Sequence, residues 1–275
     1  MGWTSHDVVA VVRRQLGTRA VGHTGTLDPF ATGLLIVLVG KATRLARFVE
    51  GMTKQYRAVV RFGSATDTDD STGQAVRELQ PEAWPDLTTI AAQVASLTGA
   101  QLQRPPAYSA KHVAGTRSHR LARRGEAVEL AEVSVLVQAI EVLNWAPPDL
   151  AVDATVGRGT YLRSLARDLG ERVGIPAHCA VLRRTAIGRF EVSDAIDPRE
   201  ASVKGMISPA DLVRAMPTEV LDAAAAVAVG HGRSVPQQVP VEVTGALVAG
   251  DGRLLAVAEG RSGSWHPTVV LEPAT

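Results

Sequence analysis

A chain of 275 residues with 45% hydrophobic content can bury a sizeable core, and its length suits one large domain followed by a small one. Its single cysteine, Cys179, excludes an internal disulfide framework and any multi-cysteine zinc site; it fits a reducing compartment and reads as a packed small apolar residue. A net charge of +1 does not advertise a polyanionic partner, so the local distribution of cations carries more information than their sum.

The opening MGWTSHDVVAVVRR has no apolar stretch long enough for a secretory signal, and the longest apolar run, LLIVLV after Gly33, is too short to span a bilayer. A soluble, cytoplasmic protein is expected. Ser5 to Gln15 predicts a helix, with Ser5 placed to cap it and Val8, Val9, Val11 and Val12 near helical spacing. GHTGTLDPFATG follows at 22–33, packing His23, Thr24, Thr26, Asp28 and Thr32 between glycines and broken by Pro29. An Asp before Pro is pushed toward extended geometry and commonly bonds its own backbone, so a turn explains that dipeptide alone. LLIVLVG then predicts a strand closed by Gly40, TRLARFVEGM a short helix, and QYRAVVRFG a half-buried strand. TDTDDSTG predicts an acidic turn, and 86–98 a helix.

From Gln101 to Gly125 the chain carries Arg104, Lys111, Arg117, Arg120, Arg123 and Arg124 without one acidic residue. Solvated helix faces usually alternate in sign, so this basic arm is a candidate polyanion contact. Val133, Val135, Val137, Ile140 and Val142 predict a strand pair. AVDATVGRGTYLRSLARDLGERVG reads as strand, Gly-rich turn and helix, with Leu162, Leu165, Ala166 and Leu169 on one face. Leu182 and its arginine neighbours predict a further strand pair ending near Val192.

Strands and helices do not alternate strictly. The expected fold is therefore α/β of the α+β type: a mixed, largely antiparallel sheet with flanking helices rather than a doubly wound one. Beyond Met216-Pro217 the texture changes to an alanine-rich helix and the short strands VEVTGALVAG, RLLAVAEG and TVVLEP, which predict a small β-rich domain. Domains at 1–215 and 217–275 are expected, with 101–125 as a basic segment of the first.

Two cofactor motifs fail on inspection. Gly40-Lys41-Ala42-Thr43 resembles the end of a phosphate loop, but Leu35 stands where the earlier glycine is required. Asp67, Asp69, Ser71 and Glu78 have calcium-loop spacing, yet Thr72 occupies the sixth position, where the backbone wants glycine. There is no HExxH, Cys-His cluster or GxSxG elbow, and Asp28 has no evident second carboxylate near it in sequence. What remains is Asp28 together with Arg163, presented where a strand turns into a helix at GRGTYLR. A carboxylate buried alone tends to take up a proton, whereas an arginine beside it favours the charged form and holds its oxygens in a known direction. Such a pair can serve as nucleophile or base.

GHTGTLDPFATGLL, KQYRAVVRFGSATDTDDSTG, RPPAYSAKHVAG, GRGTYLRSLARDLG and AVLRRTAIGRF occur in the order seen in the TruB family of tRNA pseudouridine-55 synthases, and together they cover most of residues 3–190. The resemblance implies a catalytic domain of pseudouridine synthase type and a C-terminal RNA-binding domain of the PUA type. It implies isomerisation of uridine 55 in the T-loop of tRNA, with no cofactor and no metal. Asp28 matches the catalytic aspartate and Arg163 the arginine paired with it; Tyr56 matches the tyrosine that stacks on the target uracil. Tyr161 and Leu182 match residues lining the uracil pocket, and His23 matches the histidine that contacts RNA where the base has turned out. RPPAYSAK, with Lys111, belongs to the region that grips the T-loop. The implied partner is tRNA, through T-loop and T-stem, with neither DNA nor a membrane, and the expected state is a monomer. Family members usually begin with an apolar strand and a Lys-Pro step before GWTSHD, so the first strand is expected to be missing here. Two other functions compete with catalysis: a tRNA-binding folding factor that needs the basic arm but not Asp28, and an RNA-guided relative within a ribonucleoprotein.

Overall fold

The computed structural model describes residues 2–109, 112, 113, 116–118, 124 and 130–272. They form two compact units: Met1–Thr4, Leu27–Leu34 and Gly51–Ala195 make the first, and Ser5–Thr26, Leu35–Glu50 and Ile196–Thr275 the second.

The first unit is built on a mixed sheet. Its strands run in the order Phe190–Glu191, Ala177–Ile187, Lys54–Phe62, Asp149–Val156, Val133–Ala146 and Gly99–Gln103, each antiparallel to the next. Thr32–Gly33 adds a short parallel pairing to Ala177–Ile187. Period-2 alternation decides which face is buried: Ala58, Val60 and Phe62 point one way with Leu150, Val152 and Ala154, while Arg57 and Arg61 point the other. On the open face Arg57 and Arg61 make bidentate pairs with Asp153 and Asp149 at 2.7–2.9 Å. The core lies on the other side, under the helices Leu87–Ala95 and Leu162–Val173. Asp86 caps the first of these, its carboxylate accepting from the Thr89 amide at 2.8 Å.

Val133–Ala146 departs from the predicted strand pair. It is one strand of 14 residues, with register shifts at Val137/Ala139 and Val142/Asn144. A bulge inserts an extra residue without ending a strand, so the apolar alternation changes phase while the ladder continues.

In the second unit the helix Ser5–Leu16 packs Val9 and Val12 against Val21, whose strand Val21–Thr24 pairs with Ile36–Val39. The expected short helix is a 3-10 stretch, Gly40–Leu45, leading into Ala46–Glu50. The C-terminal part is a five-stranded sheet ordered Thr218–Val220, Thr244–Val248, Leu254–Arg261, Ser264–Val270 and Val235–Pro236, with the helix Ala223–Gly230 packed on it. Trp265, 2% exposed, fills its interior and donates its ring N–H to Glu219 at 2.8 Å. This curled sheet agrees with the β-rich, PUA-like domain expected from the sequence.

Candidate active site

Arg163 sits in the first turn of Leu162–Val173 and is only 3% exposed. The helix forms there because Leu162, Leu165, Ala166 and Leu169 give it a buried stripe, and Gly174, at φ 80°, closes it in the left-handed conformation. No side chain of Tyr161 caps the start. Gln103 does that work from the edge strand: its carbonyl oxygen accepts from the Tyr161 amide at 2.9 Å, and its amide nitrogen donates to the Tyr161 carbonyl. The following residues, Arg104 to Tyr108, run along the same turn. The Arg104 carbonyl accepts from the Ser164 hydroxyl and from Arg167, and the Tyr108 carbonyl accepts from Arg163.

Asp28 meets this guanidinium end-on. Nε and Nη2 of Arg163 each donate to one Asp28 oxygen at 2.9 Å, the two-pronged geometry that fixes a carboxylate in direction as well as distance. Nη1 donates to the Thr68 carbonyl at 2.9 Å and lies 3.4 Å from the Asp70 carboxylate. Asp70 is thus the second carboxylate that the sequence did not reveal. It is 4% exposed, and its other oxygen accepts from the Thr68 hydroxyl and from the amide and hydroxyl of Thr72. The turn aims it inward because Asp69 adopts a φ of 58°, a left-handed conformation Asp tolerates better than most residues, while the Asp69 carbonyl accepts from the Cys179 amide. Arg167, one turn along the helix, pairs with Asp69 and Asp168 at 2.8 Å.

Electrostatics follow from this layout. Burial pushes the Asp28 carboxyl above the ordinary carboxylate range although 30% of its side chain meets solvent; Arg163 pulls it down, Asp70 pushes it up and Arg184 pulls it down. Burial likewise raises the Tyr161 hydroxyl, opposed by a hydrogen bond with Ser109, and the charge of Asp28 adds to the rise. Tyr56 and Leu182 face the core side of neighbouring strands. Tyr56 lies opposite Arg184 and Leu182 opposite Ala58 in the register, which makes the two side chains diagonal neighbours. Together they offer an aromatic and an aliphatic wall.

The structure therefore brings Asp28, Arg163, Tyr161, Tyr56 and Leu182 into one unit. His23 belongs to the other, on Val21–Thr24, where its ring stands edge-on to His6 with centroids 5.5 Å apart. Lys111 lies outside the described residues, as do Arg120 and Arg123. Sequence reasoning missed Asp70, Gln103 and Arg184; the one available signal was that Asp70 and Arg184 stand inside the resembling segments. The acidic turn uses its own carboxylates: Asp67 accepts from the Gln74 amide, and Asp69 and Asp70 take the bonds given above. Among the described residues no group of three or more His, Cys, Asp and Glu is arranged to hold a metal ion.

Comparison with known proteins bears on this arrangement. The family model described as TruB family pseudouridylate synthase (N terminal domain) matches residues 13–162. The tRNA pseudouridine synthase B of Thermobifida fusca is 46% identical over 279 residues, covering 98% of this chain and 94% of that protein. That of Arthrobacter sp. (strain FB24) is 38% identical, covering 99% and 94%. Among solved structures, a crystal structure of a Cbf5-Nop10-Gar1 complex superposes with a TM-score of 0.73 at 24% identity, over 99% of this chain and 82% of that one. An H/ACA RNP bound to a substrate RNA containing 2'-deoxyuridine gives 0.71 at 22%, over 99% and 82%; at these identities the likeness shows the fold. By class the protein is a pseudouridine synthase, an isomerase. The chain belongs to the TruB family.

Proposed function

We infer that this protein isomerises uridine 55, in the T-loop of tRNA, to pseudouridine, with Asp28 as the reacting carboxylate. The observation that carries the reading is the Asp28 carboxylate gripped on both oxygens by a buried Arg163, in a chain akin over nearly its whole length to proteins named tRNA pseudouridine synthase B.

The reaction breaks the N-glycosidic bond, turns the freed uracil and joins its C5 to the same sugar. A base cannot react inside its stack, so the uridine must be extruded and held in a pocket. Tyr56 supplies a stacking face, and Leu182 and Tyr161 supply walls that keep water out and prevent the loose uracil from leaving. Asp28, ionised and held in direction, reaches the ribose or the ring as nucleophile or base. His23 touches the RNA where the base has left, and the basic arm around Lys111 grips the T-loop phosphates by shape more than by sequence. The enzyme acts in the cytoplasm as a monomer.

Purified protein is expected to convert one T-loop uridine in a tRNA transcript without additives, mapped by carbodiimide treatment and primer extension. Asp28→Asn is expected to abolish product while binding tRNA within about twofold of the parent, since only the ionised oxygen is lost. Product from the Asn variant, or none from the parent, would reject the reading. A folding factor without chemistry would leave the two proteins indistinguishable.

A further inference from the structure

Arg184 is 1% exposed, one of two almost fully buried arginines near Asp28, and the uses assigned so far leave it without a role. A buried guanidinium is costly unless the fold needs it where it is. Its neighbours show what it does. The Arg184 side chain donates from Nε to the Leu34 carbonyl at 2.7 Å, and the Arg184 carbonyl accepts from the Leu34 amide at 2.9 Å. Leu34 is thus held from both directions by one residue.

One step earlier, Gly33 pairs with Arg184 in the parallel ladder at φ 106°. A Cβ there would run into the Arg184 carbonyl oxygen and lie 2.8 Å from its amide nitrogen, so the backbones touch as only glycine allows. The start of this segment carries Asp28, whose carbonyl accepts from the Ala31 amide in a tight turn at 2.9 Å. Between that turn and the Leu34 clamp there is little slack.

We propose that Arg184 is a positioning residue for Asp28: it clamps the far end of the Asp28 loop to the sheet and so fixes where that loop presents its carboxylate. The proposal rests on the reading of Asp28 as the reacting group. The charged or titratable groups coupled to Asp28 are Arg163 from the helix, Asp70 from the acidic turn, Tyr161 from the helix start, and Arg184 and the neutral Cys179 thiol from the strand. Removing Arg184 leaves one cation against Asp70, which favours the protonated form of Asp28.

The test is a pH profile of single-turnover pseudouridine formation for the parent, Arg184→Met and Arg184→Lys, alongside tRNA affinity by filter binding and thermal melts. Arg184→Met is expected to lower the rate by roughly tenfold or more, through a misplaced loop, with tRNA affinity within about twofold. Its acid limb is expected to move up, because the cation that favours the ionised carboxylate is gone. Arg184→Lys keeps the charge and loses the Nε bond, so its limb stays with the parent while its rate falls about threefold or more. A merely structural role would lower the melting temperature of Arg184→Met and leave the acid limb of that variant in place; that result overturns the proposal, as does a parental rate in either variant. Should Arg184→Met fail to melt cooperatively, Arg184→Lys decides: a reduced rate at the parental melting temperature supports the clamp, and a parental rate, or a reduced rate that only follows a lowered melting temperature, rejects it. Product from Asp28→Asn would instead remove the reading beneath; an inactive Asp28→Asn beside unaltered Arg184 variants removes this inference alone.

Discussion

Arg163 serves two carboxylates at once, and they differ in what they can give up. Asp28 keeps a face to solvent, while Asp70 is enclosed and spends one oxygen on the threonines around it. Because the Asp28 carboxyl is raised above its ordinary value and only its ionised form can attack or take a proton, activity is expected to fall as pH drops through that raised value. In kcat/KM against pH, the acid limb therefore lies above that of an unperturbed carboxylate, and a limb at or below the ordinary value would contradict the burial argument. Asp70→Asn removes a like charge while sparing most of the Thr68 and Thr72 bonds. The acid limb is then expected to move down, and the rate to fall by about tenfold as Arg163 loses one of its anchors. Asp28 and Arg163 were legible in the sequence because both stand inside short, chemically odd segments, a Gly-bounded Asp-Pro and a Gly-rich strand-to-helix turn. Asp70 was not: its turn reads as solvent-facing acid, and only the left-handed Asp69 together with an ion pair to a residue far along the chain aims it at Arg163. Gln103 was equally silent, since a polar residue on an edge strand carries no local sign that it caps a helix 58 residues on.

At the scale of elements, the helix Leu162–Val173 matters because its first turn has to be placed to within a fraction of an ångström. Gly170 secures the other end. A Cβ on Gly170 would lie 2.7 Å from the Ala177 amide nitrogen and 2.8 Å from the Ile175 carbonyl oxygen, both backbone atoms that cannot swing aside. Gly170→Ala gains about 1 kcal/mol of helix propensity and loses about 1–3 kcal/mol to overpacking. A net loss is expected in urea unfolding, with the rate of pseudouridine formation falling further than stability alone requires as the helix shifts Arg163. The amphipathic stripe made this helix readable from sequence. The bulged strand Val133–Ala146 was misread as two because a phase change in the apolar alternation looks the same whether the chain turns back or carries on.

For the whole molecule, a net charge of +1 and a polyanionic substrate pose a question of distribution. The basic arm is the proposed answer. Charge reversal at Lys111 or Arg120, both outside the described residues, is expected to weaken tRNA binding and to reduce the slope of log affinity against log salt by about one for each phosphate the arm no longer neutralises. Filter binding across a salt series that returns the parental slope would take the arm out of the interface. The mixed sheet and the β-rich C-terminal part were visible in the run of short strands and turn residues. Their grouping was not, because Leu27–Leu34 associates with Gly51–Ala195 while the segment between them, Leu35–Glu50, belongs to the other unit, and such long-range closure leaves no local pattern.

The lone thiol has a practical sequel. Cys179 is wholly enclosed, and burial drives its ionisation well above the usual range, so the native fold presents no accessible thiolate to attack an electrophile. Ellman's reagent should find no fast-reacting sulfur until denaturant is added. A cysteine introduced at an exposed position would then take a maleimide dye by itself, and conformational motion during a catalytic cycle becomes measurable by fluorescence without first stripping the wild-type background.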